Sequence, residues 1–224
     1  QGFAQVGQTP NQKSAAAAAA ALGAGNPIYG AILWLTEAQA AQAFDALSGE
    51  AYASLNTASM ENANILAKAV TGHLDQSFDA VGDDASSVSF YAQPYTPQAS
   101  ARHTSGVWGE LHGVHSDFAT PGLAGLSSTV GGVSLGLDGR LGDWRLGAVL
   151  QAGTAGMIVD ERATFATSVD YGAGLYGGTE WGDTRLLLGA LYTRHDIHSS
   201  RTVTFPGFAD ALSADYSADT AQAF

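Results

Sequence analysis

Three short patterns in this chain carry residue types that do chemistry elsewhere. Gly132-Val133-Ser134-Leu135-Gly136 matches the G-x-S-x-G elbow of serine hydrolases. That elbow needs a strand before the serine and a helix after it, so that the hydroxyl stands exposed on a sharp turn. Here the residues after Ser134 keep alternating and then meet Gly142-Asp143, so the context is missing. Gly172-Ala173-Gly174-Leu175-Tyr176-Gly177 matches G-x-G-x-x-G, yet no helical spacing follows it, which argues against dinucleotide binding. His112 and His115, and His195 and His198, form two H-x-x-H pairs. On a strand, positions i and i+3 point to opposite faces, so neither pair chelates a metal by itself. No catalytic residue, cofactor site or metal-ligand set is therefore assigned.

The elements around these patterns are strands. Leu141-Gly142-Asp143-Trp144-Arg145-Leu146 and Trp181-Gly182-Asp183-Thr184-Arg185-Leu186 are two copies of one turn, 40 residues apart. Two-residue Gly/Asp turns between alternating segments mark β-hairpins. The spacing leaves room for two strands and one longer connection. This predicts an antiparallel up-and-down sheet with tight turns at one end and long loops at the other, the habit of an outer-membrane β-barrel. Strands are expected near residues 107–116, 129–141, 144–158, 168–181, 184–196 and 211–224. The long loops are expected at 116–128, 160–167 and 196–210.

The faces of the strands support this reading. From Asp170 to Trp181, one face carries Tyr171, Ala173, Leu175, Gly177, Thr179 and Trp181, and the other Asp170, Gly172, Gly174, Tyr176, Gly178 and Glu180. Tyr171 and Trp181 lie about 33 Å apart along an extended strand. A tilt of about 40° reduces this to roughly 25 Å, the height of the apolar band between two aromatic girdles. Val133, Leu135, Leu137 and Leu141 share a face opposite Ser134, Asp138 and Arg140. Leu146, Ala148, Leu150 and Ala152 lie opposite Arg145 and Gln151, and Leu212, Ala214, Tyr216 and Ala218 opposite Asp215 and Asp219. Charges set among apolar neighbours need water or a partner, and a wet lumen supplies both. Asp138, Arg140, Arg145, Glu180 and Arg185 are the candidate lumen-facing contacts; the alternative is that they only solvate the wall. Tyr171 and Trp181 are the candidate membrane-girdle residues. Around Leu186-Leu187-Leu188 both registers remain open.

Composition narrows the class further. The chain has 224 residues, 28 glycines, no cysteine, 13% charged residues and a net charge of −12. Without cysteine there are no disulfides, and nine Lys plus Arg supply no basic patch for nucleic acid. No apolar run reaches the 18 residues of a transmembrane helix. The start, Gln1-Gly2-Phe3, lacks a signal-peptide pattern, so an exported protein is expected to carry further N-terminal sequence. Residues 11–80 read as helical. Seven alanines run from Ala15 to Ala21, Gly23 to Pro27 break the helix, and Thr36-Glu37-Ala38-Gln39 is a capping box. In the last helical stretch Ile65, Leu66, Val70 and Leu74 form a weak apolar stripe, which suits the inside of a wet pore or an ordinary helical bundle. Residues 81–106 read as a flexible connection.

Asn26-Pro27-Ile28-Tyr29, Leu47-Ser48-Gly49-Glu50-Ala51-Tyr52-Ala53-Ser54, Val107-Trp108-Gly109-Glu110 and Ser200-Arg201-Thr202-Val203-Thr204-Phe205-Pro206-Gly207-Phe208 together resemble the translocator region of classical (type Va) autotransporters. The resemblance runs from about Thr9 to the end of the chain. It implies that residues 1–10 end a passenger, that 11–80 lead into a pore-threading segment, and that 107–224 are the first half of a twelve-stranded barrel. It also implies the outer membrane of a Gram-negative bacterium, type V secretion of a passenger to the cell surface, and lipid and the barrel-assembly machinery as partners. Any enzymatic activity would then lie in the passenger. Six strands alone would leave two edges that lipid cannot satisfy. The family's paired-asparagine cleavage signature is not evident. Two other classes stay open at this point: a β-rich hydrolase using Ser134, and a soluble β-sandwich binding module.

Overall fold

The structure, a computed structural model, describes residues 2–79, 88–90, 105–119 and 124–224. The connection expected at 81–106 lies almost wholly outside the described residues. Five helices come first: α1 (Phe3–Val6), α2 (Pro10–Ala21), α3 (Pro27–Ile32), α4 (Glu37–Leu47) and α5 (Glu50–Asp79). The N-termini of α2, α3 and α4 have local causes. Thr9 and Gln12 form a reciprocal capping box at α2, and Thr36 and Gln39 form another at α4. Pro10 and Pro27 occupy first-turn positions, where a missing N–H costs nothing. Asn26 caps Ile28 N at 2.9 Å and so starts α3, a helix hidden in sequence behind the Gly23–Pro27 break. No helix among the described residues is long and apolar enough to cross a membrane.

The strands are β1 (Val88–Phe90), β2 (Ser105–Phe118), β3 (Leu126–Leu141), β4 (Trp144–Val159), β5 (Thr164–Trp181), β6 (Thr184–Phe205) and β7 (Phe208–Ala223). They form one sheet in chain order; β2 to β7 are antiparallel, and β1 lies parallel to β2. The sheet is open. Gly142 and Gly182 hold φ of 62° and 57° at the first central position of their turns, the II′ arrangement that matches strand twist. Both turns are where the sequence puts them.

The other end of the sheet corrects the sequence reading. β6 does not stop near residue 196; it runs to Phe205 and turns through Pro206-Gly207, with Gly207 at φ 86°. Proline followed by a positive-φ glycine is a type II turn. Between β4 and β5 only Asp160–Arg162 and Ala163 intervene. The Ser, Thr and His residues read as loop are strand residues whose ladder extends past the apolar band. The 40-residue repeat is taken up by longer strands, not by long loops.

Helix α5 touches β3 through β7, so the sheet wraps around it. Its buried stripe has two parts. Ala51, Leu55 and Ala58 pack with Leu126, Met157, Val159 and Ile197, while Leu66, Val70, Leu74 and Phe78 pack with Trp108, Val149, Tyr176 and Leu191. The four-residue spacing from Leu66 to Phe78 keeps those side chains on one face. Helices α2 to α4 cover the far end of β6 and β7, with Phe44 and Ile32 against Val203 and Phe205. Burying each large apolar side chain contributes roughly 1.5–3 kcal/mol.

Candidate functional site

The face of the sheet that meets α5 carries the polar groups. Asp138 of β3 is the centre of the largest cluster. Its Oδ1 accepts from Arg145 Nη1 on β4, and its Oδ2 accepts from Tyr176 Oη on β5 at 3.0 Å. His73 Nε2 of α5 meets the same Oδ2. Trp108 Nε1 of β2 donates to Tyr176 Oη at 2.6 Å, and the His73 ring stacks on the Trp108 indole at 4.5 Å. Four strands and the helix therefore share one hydrogen-bonded network. The Asp138 and Arg145 side chains are each only 1% exposed. A buried pair of this kind is tolerable because further hydrogen bonds satisfy its remaining lone pairs.

Glycines make the space. A Cβ on Gly136 would lie 2.2 Å from the Trp108 ring, and one on Gly147 would lie 2.4 Å from the Tyr176 ring. A Cβ on Gly172 would meet Leu66 of α5 at 2.9 Å, and one on Gly178 would meet Phe78 at 3.0 Å. At Gly136 and Gly147 aromatic rings occupy the space of a side chain, and at Gly172 and Gly178 the helix side chains come close to the wall backbone.

Two further polar groups hold the helix ends. At the turn end Arg185 binds Glu180 at 2.8 Å and reaches Asp79 and Asp75 of α5. At the opposite mouth Arg162 meets Glu50 at 2.9 Å and Asp45 at 3.7 Å, while Glu50 also accepts from Ala124 N at 2.8 Å and from Asn11. Arg201 of β6 donates to the carbonyls of Ala46 and Ser48, closing the C-terminus of α4. Midway along the wall, buried His195 pairs with Asp170 at 2.8 Å and meets Thr220 at 3.3 Å.

Burial pushes the Glu50 carboxyl up, but the Ala124 amide, Asn11 and the Arg162 charge outweigh it and hold Glu50 below the usual carboxylate range. Its folded pKa thus lies below the unfolded value, so its contribution to stability is present at neutral pH. That contribution is lost as pH falls through the folded pKa. Amide protection factors in α2 to α4, corrected for the intrinsic exchange rate at each pH, are expected to fall between about pH 7 and about pH 3 in the wild-type chain and to change much less in Glu50→Gln. An equal fall in both would remove Glu50 from this role.

Of the five candidate lumen residues, Asp138 and Arg145 meet at the central network, and Glu180 and Arg185 pair at the turn end. Arg140 shares their face but lies exposed beside the Gly142 turn. Tyr171 and Trp181 stand on the opposite face, 55% and 53% exposed, with Trp144 edge-on to Trp181 at 6.4 Å. Leu187 points towards the helix face, and Leu186 and Leu188 point away from it.

β7 reverses its expected faces. Its register puts Leu212, Ala214, Tyr216 and Ala218 beside Arg201, Ser199, Ile197 and His195, on the helix side. Asp215 and Asp219 point outward, where Asp215 pairs with His198 at 2.6 Å and Asp219 accepts from Tyr192 Oη at 2.6 Å. These rows lie level with Tyr171 and beyond it, towards the β6–β7 turn. Ser134 faces the helix side in mid-strand, fully buried, and its hydroxyl has no hydrogen-bond partner. Among the described residues nothing bonds to it, and β3 simply continues.

Sequence spacing did not single out His73, Glu50, Arg162 or Arg201. A histidine at an ordinary helical position carries no pattern, and the three others pair across more than a hundred residues or between a helix and a short turn. The i+4 positions around Leu66 were the one available signal for the buried face of α5.

The family model described as Autotransporter beta-domain matches residues 107–224. Two curated relatives are each named "Extracellular serine protease", from Serratia marcescens. They are 32% and 33% identical over 213 residues, which is 92% of this chain. The chain spans 18% of the length of either relative. No solved structure matches the chain. Residues 107–224, which build the wall around α5 and carry the outward leucines and aromatic rings, are the part this family model covers. The chain belongs to the autotransporter family.

Proposed function

We propose that this chain is a translocator in its loaded state, with α5 seated in the pore and α1 to α4 gathered at the outer mouth. Autotransporter β-domains sit in the outer membrane and deliver a linked passenger to the cell surface, and that is the role of residues 107–224. In our reading the sheet closes as a barrel with further strands, because lipid leaves no edge unsatisfied. Outer-membrane lipid and the barrel-assembly machinery are its partners. Residues 1–10 end the passenger, 11–80 form the mouth and pore segment, and 81–106 link them to the barrel. The passenger carries any catalysis, and an extracellular serine protease is the proposed class on the strength of the relatives' names.

The observation that carries this reading is one helix seated against five strands and tied through His73 to the buried Asp138–Arg145 pair, on the face opposite the exposed leucines. Leu137, Leu150 and Leu175 on the outer face are 61%, 66% and 68% exposed. A contiguous row of exposed leucines is what lipid covers and what a soluble sandwich avoids. The mechanism needs no nucleophile. Strand closure supplies the anchor, the lumen supplies the route, and Asp138, Arg145, Glu180 and Arg185 position the helix that remains in it.

Arg185→Glu in the full-length protein tests this role. It sets a new carboxylate against Asp75, Asp79 and Glu180. These pairs are open to solvent, which screens them, so the effect of each is modest. Single-channel recordings are expected to show the open state about threefold more often. Unchanged conductance together with unchanged passenger display would contradict a positioning role for Arg185.

A further inference from the structure

Helix α3 ends at an uncovered aromatic. Trp34 is 89% exposed and its neighbour Leu33 is 54% exposed. Beside them lies a groove of about 550 Å³ lined by Pro27, Gly30, Ala31, Leu35 and Pro206, with Trp34 at its rim. An exposed tryptophan on a membrane protein suggests an interfacial anchor, but lipid is out of reach here. The groove is built on the β6–β7 turn, and Phe205 lies thirteen residues beyond Tyr192, whose partner Ala173 is two residues from Tyr171, taken here as the outer girdle. At about 3.3 Å per residue and a tilt of about 40°, that turn stands roughly 33 Å above the girdle. The headgroup layer adds only about 5–7 Å per leaflet. Whatever covers Trp34 is protein.

The path of the chain says which protein. Phe3 of α1 packs at a tilt against the rings of Tyr29 of α3 at 5.0 Å and Phe44 at 6.1 Å. Any segment preceding Gly2 therefore emerges alongside α3, the helix that ends at Leu33 and Trp34. A tethered partner at that distance meets the groove at high effective concentration. The curated relatives extend far past the region matched here, which leaves a large domain to be seated.

We propose that Trp34, Leu33 and the adjoining groove are the docking seat for the last module of the chain's own passenger, which presents an apolar edge to them. This rests on the translocator reading above. The seat fixes the exported domain against the helical cap, so that its final module is held against the barrel mouth once outside. A central aromatic anchor with a small pocket beside it is the usual build of such a contact.

The test uses the full-length precursor in intact cells, with a protease site inserted just before Gly2. With Trp34→benzoylphenylalanine, illumination is expected to join passenger and translocator, so that they stay together after cleavage at the inserted site. Trp34→Ala is expected to leave barrel folding and the amount of displayed passenger unchanged. It is expected to speed external cleavage of the passenger's last module about tenfold, with Trp34→Phe restoring most of the protection. Crosslinks to lipopolysaccharide or to another protein, or an unaltered cleavage rate in Trp34→Ala, would overturn the seat while leaving the translocator intact. A precursor that displays no passenger at all would overturn both.

Discussion

Arg145→Met is expected to destabilise the full-length protein by about 3–5 kcal/mol, because it strips a buried carboxylate of its guanidinium while keeping the side-chain volume. Asp138 would keep Tyr176 and His73, but its Oδ1 would lose the group that meets it from β4. The urea midpoint of the heat-modifiable, folded band in detergent measures this. Adding Asp138→Asn removes the stranded charge and is expected to recover part of the loss. If the double variant were no better than the single one, the cost would come from packing and not from charge. A loss below about 1 kcal/mol would place the pair in the class of solvated ion pairs, contrary to its 1% exposure.

The second large effect is steric. In Gly147→Val the new Cβ would fall 2.4 Å from the Tyr176 ring and 2.7 Å from Asp138 Cβ. A tyrosine ring can swing away, but the Cβ of a residue fixed in the neighbouring strand cannot. Overpacking costs about 1–3 kcal/mol, and expelling Tyr176 also forfeits its bonds to Trp108 and Asp138, each worth about 0.5–1.5 kcal/mol. The expected total is about 3 kcal/mol, read from the same urea midpoint. Tyrosine fluorescence and amide exchange near His73 report whether the network itself opens. Tyr176→Ala combined with Gly147→Val should relieve the clash with the ring, but neither the contact with Asp138 Cβ nor the lost hydrogen bonds, and so recover only part of the loss.

How far the sequence reaches can be seen in particular residues. Asp138 and Arg145 were legible because each interrupts an apolar alternation at the parity of a wall-facing position, and two-residue turns lock that parity from strand to strand. The same parity places Tyr171 and Trp181 on the outward face. β7 misleads because its charges and its apolar residues both alternate. Period-two spacing separates two faces but does not say which one meets lipid. Pairing with β6 decides that, and it turns Asp215 towards His198 and Ala218 towards His195. The long ends of β5 and β6 were hidden because polar strand residues above the apolar band have the composition of loops. The helix contacts were hidden most deeply. His73 meets Asp138 65 residues away, and Arg201 meets Ala46 155 residues away, pairings with no local trace. Capping chemistry, by contrast, is local, and the α4 boundary at Thr36 stands where the capping box puts it.

Both variants above probe how tightly α5 is gripped; they do not ask whether it lies inside the wall at all. One measurement does. With Leu66→Cys and Gly172→Cys introduced into the full-length protein in native outer membranes, a short bifunctional thiol reagent should link the two, because a Cβ at position 172 lies 2.9 Å from the Leu66 side chain. The same reagent should leave Leu66→Cys unlinked to Leu150→Cys, which faces the opposite side of the sheet. Linking at 66–172 and none at 66–150 is the expected result. The reverse pattern, or free labelling of Cys at position 66 by a bulky reagent added outside the cell, would put α5 elsewhere and contradict the account.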